Sequence, residues 1–484
     1  MKLLENILGR FGYRKGPAFI AARAYNGAKT GNAVADWGTN NTSANKEIRE
    51  GIRPLRARAR DLERNNDYVR RFLASMENNV LGSAGVKLQA KATDLSGKFD
   101  NVANAKVEQA WRDWGKAANC TTTGRHSWLD VQKMVLRSVA RDGAVLIRKV
   151  RNWDNPFRFA IQVVEIDHLD TEYNARLKNG NTVRMGVEID KWERPVAYHL
   201  LTNHQGDDYL GNPTQRERVP AEEILQPFIA ERPHQVTGTP WMASAMYRLN
   251  MLSGYEEAEV TAARVAACKM GFYTKSESGE GYQGEVDAAG NMISNAEAGS
   301  FEELPVGVDF KSFDPQHPST AYGPFIKSCL RGIAAGLNVS YNSLANDLEG
   351  VNYSSIRAGL LEEREQWKTV QNWFIDHVVD PIFREWLEYS LLSNAIDLPA
   401  AKVDKFAKVE WRPRRWQWVD PLKDTQANVL AVQNGFKSRR AIIAEAGADV
   451  EDVFADIAAD GELASGKGIA FEGDPPNIAD DPET

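Results

Sequence analysis

Apolar residues recur at helical spacing over two long runs past the middle of the chain, and the stretch between them is polar. In the first, Thr320–Leu337, residues Phe325, Cys329, Ile333 and Leu337 stand four apart, with Ile326, Leu330 and Ala334 filling the adjacent row. A stripe of that width predicts an amphipathic helix of about 18 residues, with Pro324 near its start, where a missing N–H costs little. The second run, Tyr353–Val379, places Ile356, Leu360, Trp367, Val370, Phe374 and Val378 at spacings of three, four and seven. That predicts a helix of roughly 40 Å. Between them Asn338, Asn342, Asn346, Asp347, Gly350 and Asn352 read as a loop. Two long helices holding a loop suit presentation on a rigid support better than they suit an enzyme pocket.

The same periodicities organise the rest. Residues 1–45 mix Phe11, Phe19, Tyr25 and Trp37 with glycines and asparagines and read as an extended arm with a short helix, ordered by contact. From Ala44, residues Leu55, Leu62, Val69, Phe72, Leu73 and Met76 give a helical apolar face, and Arg56, Arg60 and Arg64 line another. The arginines read as a solvated or ion-paired face with Asp61, Glu63 and Asp67 nearby, with phosphate or partner contact as the alternative. Val86–Ala90 reads as a strand, Ala103–Lys116 and Trp128–Arg141 as helices. Ala144–Val150, Phe157–Glu165, Thr182–Glu188 and Val196–Leu201 follow as strands between turn residues.

Thr239 and Pro240 then resemble an N-cap and first turn, opening a helix to about Lys269. Its second half is rich in small residues and its middle is acidic, with Glu256, Glu257 and Glu259. A buried intrachain helix and a ring of identical helices are both compatible with it. Phe272–Lys275 and Gly307–Phe313 read as strands around a polar, glycine-rich middle. Asp380–Pro381 should break or kink the long helix, whose stripe continues through Ile382, Phe383, Trp386, Leu387 and Leu391. Helices are expected from Pro421 and from Ser438, and the acidic, proline-bearing tail beyond Gly461 reads as disordered. The expected class is α+β, predominantly helical.

Composition narrows the functions. A length of 484 residues allows two to four domains, and no window approaches the ~18 uninterrupted apolar residues of a membrane span. The first residues lack a signal peptide's apolar core. Cys120, Cys268 and Cys329 form no metal or redox spacing and read as reduced thiols. Thirteen tryptophans suggest large apolar contact areas, including contacts between subunits. The net charge of −7 argues against a protein that grips DNA over its whole surface.

Motifs for catalysis are missing. Glu165, Asp167 and His168 place three metal-ligand types in four residues, but strand alternation would split them between two faces, so a polar strand edge is the better reading. Gly279–Gly284 satisfies G-x-G-x-x-G without the buried strand and following helix that a dinucleotide site needs. Trp411, Arg415, Trp416 and Trp418 could stack bases, though a strand with arginines over tryptophan faces fits better. There is no P-loop, nucleophile elbow or HExxH. A structural or assembly role is expected, with no cofactor or metal.

Four stretches carry a family resemblance: Arg56–Asn66, Arg232–Trp241, Asn352–Glu363, and Trp418–Asp424 with Asn434, Gly435, Ser438 and Arg439. In that order and separation they resemble the portal proteins of tailed bacteriophages, lambda type. The resemblance implies a ring of twelve subunits at one capsid vertex of the virion, assembled in the host bacterial cytoplasm, with a channel for double-stranded DNA. Implied partners are the terminase large subunit, the major capsid protein or scaffold, and head-tail connector proteins.

The resemblance also implies parts: an arm (1–45), a wing (46–233 and 353–420, the latter including the long helix) and a first stem helix (240–269). A clip (270–319), a second stem helix (320–337), a tunnel loop (338–352), crown helices (421–460) and a tail (461–484) complete it. Asn338, Ser340, Asn342, Ser343, Asn346 and Asn352 would face DNA. Lys327, Arg331, Glu256 and Glu259 are stem or channel candidates, and Tyr282, Glu285, Phe301 and Phe310 would serve docking at the clip. The competing readings are a virion adaptor without a channel and a DNA-processing enzyme around Glu165 and Asp167.

Overall fold

The computed structural model describes residues 38–207, 215–267, 271–275, 288, 308–312, 321–350, 352–416, 421–445 and 450–467. Helix α1 (Ala44–Asn65) starts where the Ser43 hydroxyl accepts the Lys46 N–H. It ends at Asn66, whose side chain accepts the Val69 N–H and so opens α2 (Asp67–Val80). Strand β1 (Lys87–Ala90) and α3 (Asn101–Trp114) follow. A reciprocal Ser127/Asp130 capping box then opens α4 (Trp128–Asp142). Gly143 terminates α4 at φ 87°, and a Cβ there would lie 2.5 Å from the Gly238 carbonyl oxygen, so the position takes only glycine.

Two sheets build the middle of this unit. Strands β2 (Leu146–Arg151) and β3 (Phe159–Val164) pair antiparallel, and β9 (Ile224–Leu225) adds to the other side of β2. A five-stranded antiparallel meander comprises β4 (Ala175–Arg176), β5 (Thr182–Arg184), β6 (Val187–Ile189), β7 (Pro195–Leu201) and β8 (Arg216–Pro220). The single strand expected over Thr182–Glu188 is therefore a hairpin. Met185 and Gly186, at φ 46° and 80°, make its two-residue turn, and nothing in the hydrophobic pattern marks a methionine for positive φ.

Further corrections concern helix ends. Helix α5 spans Met246–Ala267 and does not begin at Thr239, because the Trp241 N–H is taken by the Ala140 carbonyl and residues 241–245 form turns. Strands β10 (Gly271–Lys275) and β11 (Val308–Ser312) pair antiparallel. They are followed by α6 (Tyr322–Gly336), α7 (Tyr341–Ala345) and α8 (Tyr353–Phe374). Pro381 does not break the rod. A π turn at Ile375–Val379, with the Asp380 N–H reaching back to the Ile375 carbonyl, widens the helix enough for the proline ring, and α9 (Asp380–Leu392) continues it. Strand β12 (Val409–Arg412) pairs with β1, and α10 (Pro421–Gln433), α11 (Arg439–Glu445) and α12 (Val450–Gly466) follow. Helix α12 extends past Gly461, where the acidic composition suggested that order would end.

Among the described tryptophans, Trp111, Trp114, Trp128, Trp367 and Trp386 are buried. Trp111 stacks on Trp114 with centroids 4.7 Å apart and meets Trp386 edge-on at 4.8 Å and Phe383 at 5.5 Å. Trp128 and Trp411 close the cluster. The Trp114 indole donates to the Phe159 carbonyl, and the Trp411 indole to Asp380. These rings fill the space between α3, α9 and the β1–β12 ribbon. Trp192, 75% exposed, is an exception.

The arginine face is also buried. Arg56, 3% exposed, donates to the Asp142 carbonyl and pairs with Asp167 at 3.2 Å, and Arg60 bridges Asp142 and Asp167. Arg137 and Arg141 of α4 take Glu63, with Glu77 and Asp142 as their second partners. The expected solvated or locally paired face thus holds for Arg64, exposed and 3.7 Å from Asp61, and not for Arg56 and Arg60. Burial would raise the Asp167 pKa, but Arg56 and Arg60 outweigh it and hold the carboxyl below its usual range.

Trp386→Ala should destabilise the chain by about 3–5 kcal/mol in urea unfolding, because its site is walled by other rings and collapses poorly. The Asp167 carboxylate, depressed in the folded state, contributes stability above about pH 4 that fades as pH falls through its folded pKa. Asp167→Asn should therefore lower the melting temperature at neutral pH and flatten its decline between about pH 5 and 2.

Candidate functional site

Helix α6 buries Leu330, Ile333 and Ala334 and packs beside α5. The approach is close at Gly332, where a Cβ would meet the Arg248 guanidinium at 1.7 Å, and at Gly336, whose carbonyl accepts the Ser244 hydroxyl. The chain leaves α6 through Asn338 at φ 57°. The expected loop is in part helical. Ser340 caps α7 by accepting the Ser343 N–H, and Asn346, at φ 52°, ends it in the left-handed region that asparagine tolerates. Leu344, 3% exposed, plugs this turn into the core.

Three ties fix the segment. The Ser343 hydroxyl donates to Glu363 on α8 at 2.8 Å, and Arg71 on α2 donates to the Ser343 carbonyl. Asp347 accepts the Tyr341 hydroxyl at 2.7 Å and the Glu349 N–H at 2.9 Å, and pairs with Lys327 of α6 at 3.1 Å. Tyr341, the Glu349 amide and Lys327 together bring the Asp347 pKa down to about 2. Burial and the facing carboxylate push the Tyr341 phenol up to about 12. Arg331 lies over the Tyr341 ring.

This arrangement sorts the candidates. Asn338, Asn346 and Asn352 are exposed. Ser340 and Ser343 are half-buried and occupied as cap and anchor, and Asn342 is half-buried on α7. Lys327 is engaged by Asp347, while Arg331 is exposed. Glu256 accepts the Tyr68 hydroxyl at 2.8 Å, and Glu259 is 7% exposed, so in this chain it is not on an open surface as a channel residue would be. The helical stripe could not reveal that, because the acidic middle of α5 is flanked by small residues on both faces. Leu348, 64% exposed beside Asn346, was not singled out by pattern, since a lone apolar residue in a polar loop carries no periodicity.

The other motifs resolve as follows. Tyr282, Glu285 and Phe301, with the glycine motif at Gly279–Gly284, lie outside the described residues. Phe310 sits on β11 in register with Tyr273. Ile166–His168 is a 3₁₀ turn, not a strand edge, and Asp167 is committed to Arg56 and Arg60. Among the described residues no cluster of three histidine, cysteine or carboxylate side chains is arranged to hold a metal. Trp411 packs on Phe383, and Trp416 donates to Asn79 beneath Arg364 and Arg414, so both rings serve the fold. Trp418 lies outside the described residues. Cys120 is buried and Cys329 half-buried, and both are free thiols. No helix among the described residues is long and apolar enough to cross a membrane.

Residues 30–371 match the family described as "Phage portal protein, lambda family". The "Probable portal protein" of Halomonas phage phiHAP-1 is 39% identical over 412 residues, covering 84% of this chain and 79% of the relative. "Portal protein B" of Escherichia phage lambda is 23% identical over 478 residues, covering 89% and 87%. Among solved structures, a chain in "Neck of empty GTA particle computed with C6 symmetry" aligns with a TM-score of 0.44 and 15% identity, covering 82% of this chain and 94% of that one.

Tyr341→Phe removes the leading cause of the Asp347 shift. Carbon-detected titration of the carboxyl should show its pKa rising from about 2 toward the ordinary aspartate value, with Lys327→Ala giving a smaller rise. An unchanged Asp347 in Tyr341→Phe would mean that the tie is not formed in solution.

Proposed function

The chain belongs to the lambda family of phage portal proteins, and from that premise we propose that twelve copies close into a ring at one capsid vertex, passing double-stranded DNA through a central channel. As a member of that family it is a structural component and not an enzyme. The observation that best supports the channel reading is the segment between α6 and α8. It is tied at Ser343 and Asp347 to two long helices, yet leaves Asn338, Asn346, Leu348 and Asn352 exposed.

In this reading α5 and α6 form the stem and residues 270–319 the clip that docks the terminase large subunit and later the head-tail connector. Residues 46–233 and 353–420 form the wing, against capsid protein or scaffold, and the helices after Pro421 form the crown. The segment 338–352 is the tunnel loop. The charges fit passage more than grip. Of the cations nearest the loop, Lys327 is held by Asp347 and Arg71 donates to the Ser343 carbonyl, while the exposed Arg331 lies over the Tyr341 ring. The exposed neutral amides can hydrogen-bond phosphates briefly without releasing counterions on the scale that makes binding tight. Each copy also contributes a net charge of −7, which disfavours retention of a sliding polyanion.

Negative-stain images of the assembled protein should show rings with a central hole; particles without one point to an adaptor, and a persistent monomer overturns the reading. Replacing Leu348 and Asn352 together with lysine, at exposed positions outside the left-handed turns, should leave rings intact but slow DNA translocation several-fold in a packaging assay, with the deficit shrinking as salt rises. Unchanged translocation would remove these residues from the DNA path.

A further inference from the structure

Strand β1 has one edge paired to β12 and one edge with no strand partner among the described residues. The Lys91 N–H bonds the Lys408 carbonyl, and the register fixes Lys87 and Gln89 as the other residues that face β12. By alternation the N–H groups of Val86, Leu88, Ala90 and Ala92 point the other way. Side chains take three of them: Gln132 that of Val86, Glu108 that of Ala90 and Asn104 that of Ala92. The Leu88 N–H is left with no partner among the described residues. An open strand edge is a ready template for an extended segment.

This edge lies in a groove of about 710 Å³ with Leu88, Trp111, Trp128 and Leu129 in its walls. Lys87, Arg112, Lys116 and Arg412 line it with Glu108, Arg112 pairing with Glu108 and Lys116 with Asp113, so cations outnumber the carboxylates beside them although the chain as a whole is acidic. The wall also holds the indole N–H of Trp128, a buried donor without an acceptor among the described residues.

We infer that the occupant is the chain's own acidic C-terminal segment, with Asn477–Asp481 laid along the open edge at Leu88. Residues 468–484 contain five carboxylates and no lysine or arginine. Asn477–Asp481 lies between Pro476 and Pro482, so it is a run in which every residue has an N–H to give a strand partner. Ile478 offers an apolar side chain for the tryptophan wall, and Asp480 and Asp481 offer charge for the rim. The reach is sufficient. Val450, at the start of α12, lines a pocket with Arg412, which also lines the groove. Helix α12 is roughly 25 Å long and the ten residues from Gly468 to Asn477 extend to roughly 33 Å, so the segment can run back along the helix toward the groove.

Amide hydrogen exchange on the full chain tests this. The Leu88 amide should exchange slowly in the parent protein and at least ~10-fold faster in Ile478→Asp and in Lys87→Glu/Arg112→Glu, the latter two at exposed positions. Adding a synthetic peptide of residues 468–484 to Ile478→Asp should restore protection, and adding it to the charge-reversed variant should not. Leu88 exchanging equally in all three chains overturns the assignment. Protection that persists in Ile478→Asp but appears only on ring assembly also overturns it, and gives the groove to a neighbouring copy. The readout is independent of DNA passage, so its failure leaves the channel reading untouched.

Discussion

Trp386 and Phe383 are wedged against Trp111, Trp114 and Trp411, and the placement of the exposed loop depends on that wedge. The rod formed by α8, the π turn and α9 runs from Tyr353 to Leu392, about 60 Å. Its C-terminal half is sunk among rings that cannot be rearranged without opening a large cavity, and nearer the loop one face still buries Glu363, Trp367, Val370 and Gln371. A helix clamped at one end transmits position to the other. Ser343, bonded to Glu363, therefore takes its place from a cluster of tryptophans far along the same rod.

The π turn is part of that constraint. A proline at position 381 in a regular helix would clash with the carbonyl four residues back and bend the rod away from the aromatic wall. The wider turn keeps Ile375, Val378 and Val379 buried on one side and Ile382, Phe383 and Trp386 buried on the next, so a single core face runs through the irregularity.

Electrostatics divides between interior and surface. Arg56, Arg60, Arg137 and Arg141 join α1, α2, α4 and the turn at Asp167 through carboxylates that are themselves largely buried. Removing one member strands the others, and that gives the packing of these helices a defined register. Near the loop the same chemistry acts differently. Asp347 holds Lys327 while Arg331 lies exposed over the Tyr341 ring, and the loop itself presents amides, Leu348, Glu349 and backbone.

Periodicity alone carried the two central helices, the polar segment between them and most helices and strands of the first 200 residues, because each needs only a local stripe and a cap. It also carried the buried continuation past Pro381, since Ile382, Phe383 and Trp386 keep the spacing of Phe374 and Val378. Only the tertiary structure decided which partners close the pattern. The arginines of α1 turned from their helical neighbours to Asp142 and Asp167, and Glu259 went into the interior. The tryptophans turned to one another, and Ser340 and Ser343 were used as cap and anchor, not as exposed loop residues. The physical reason is the same in each case. Periodicity fixes which side of an element is apolar, whereas the pairing of a buried charge, ring or hydroxyl is fixed by whatever distant segment the packing brings within a few ångströms.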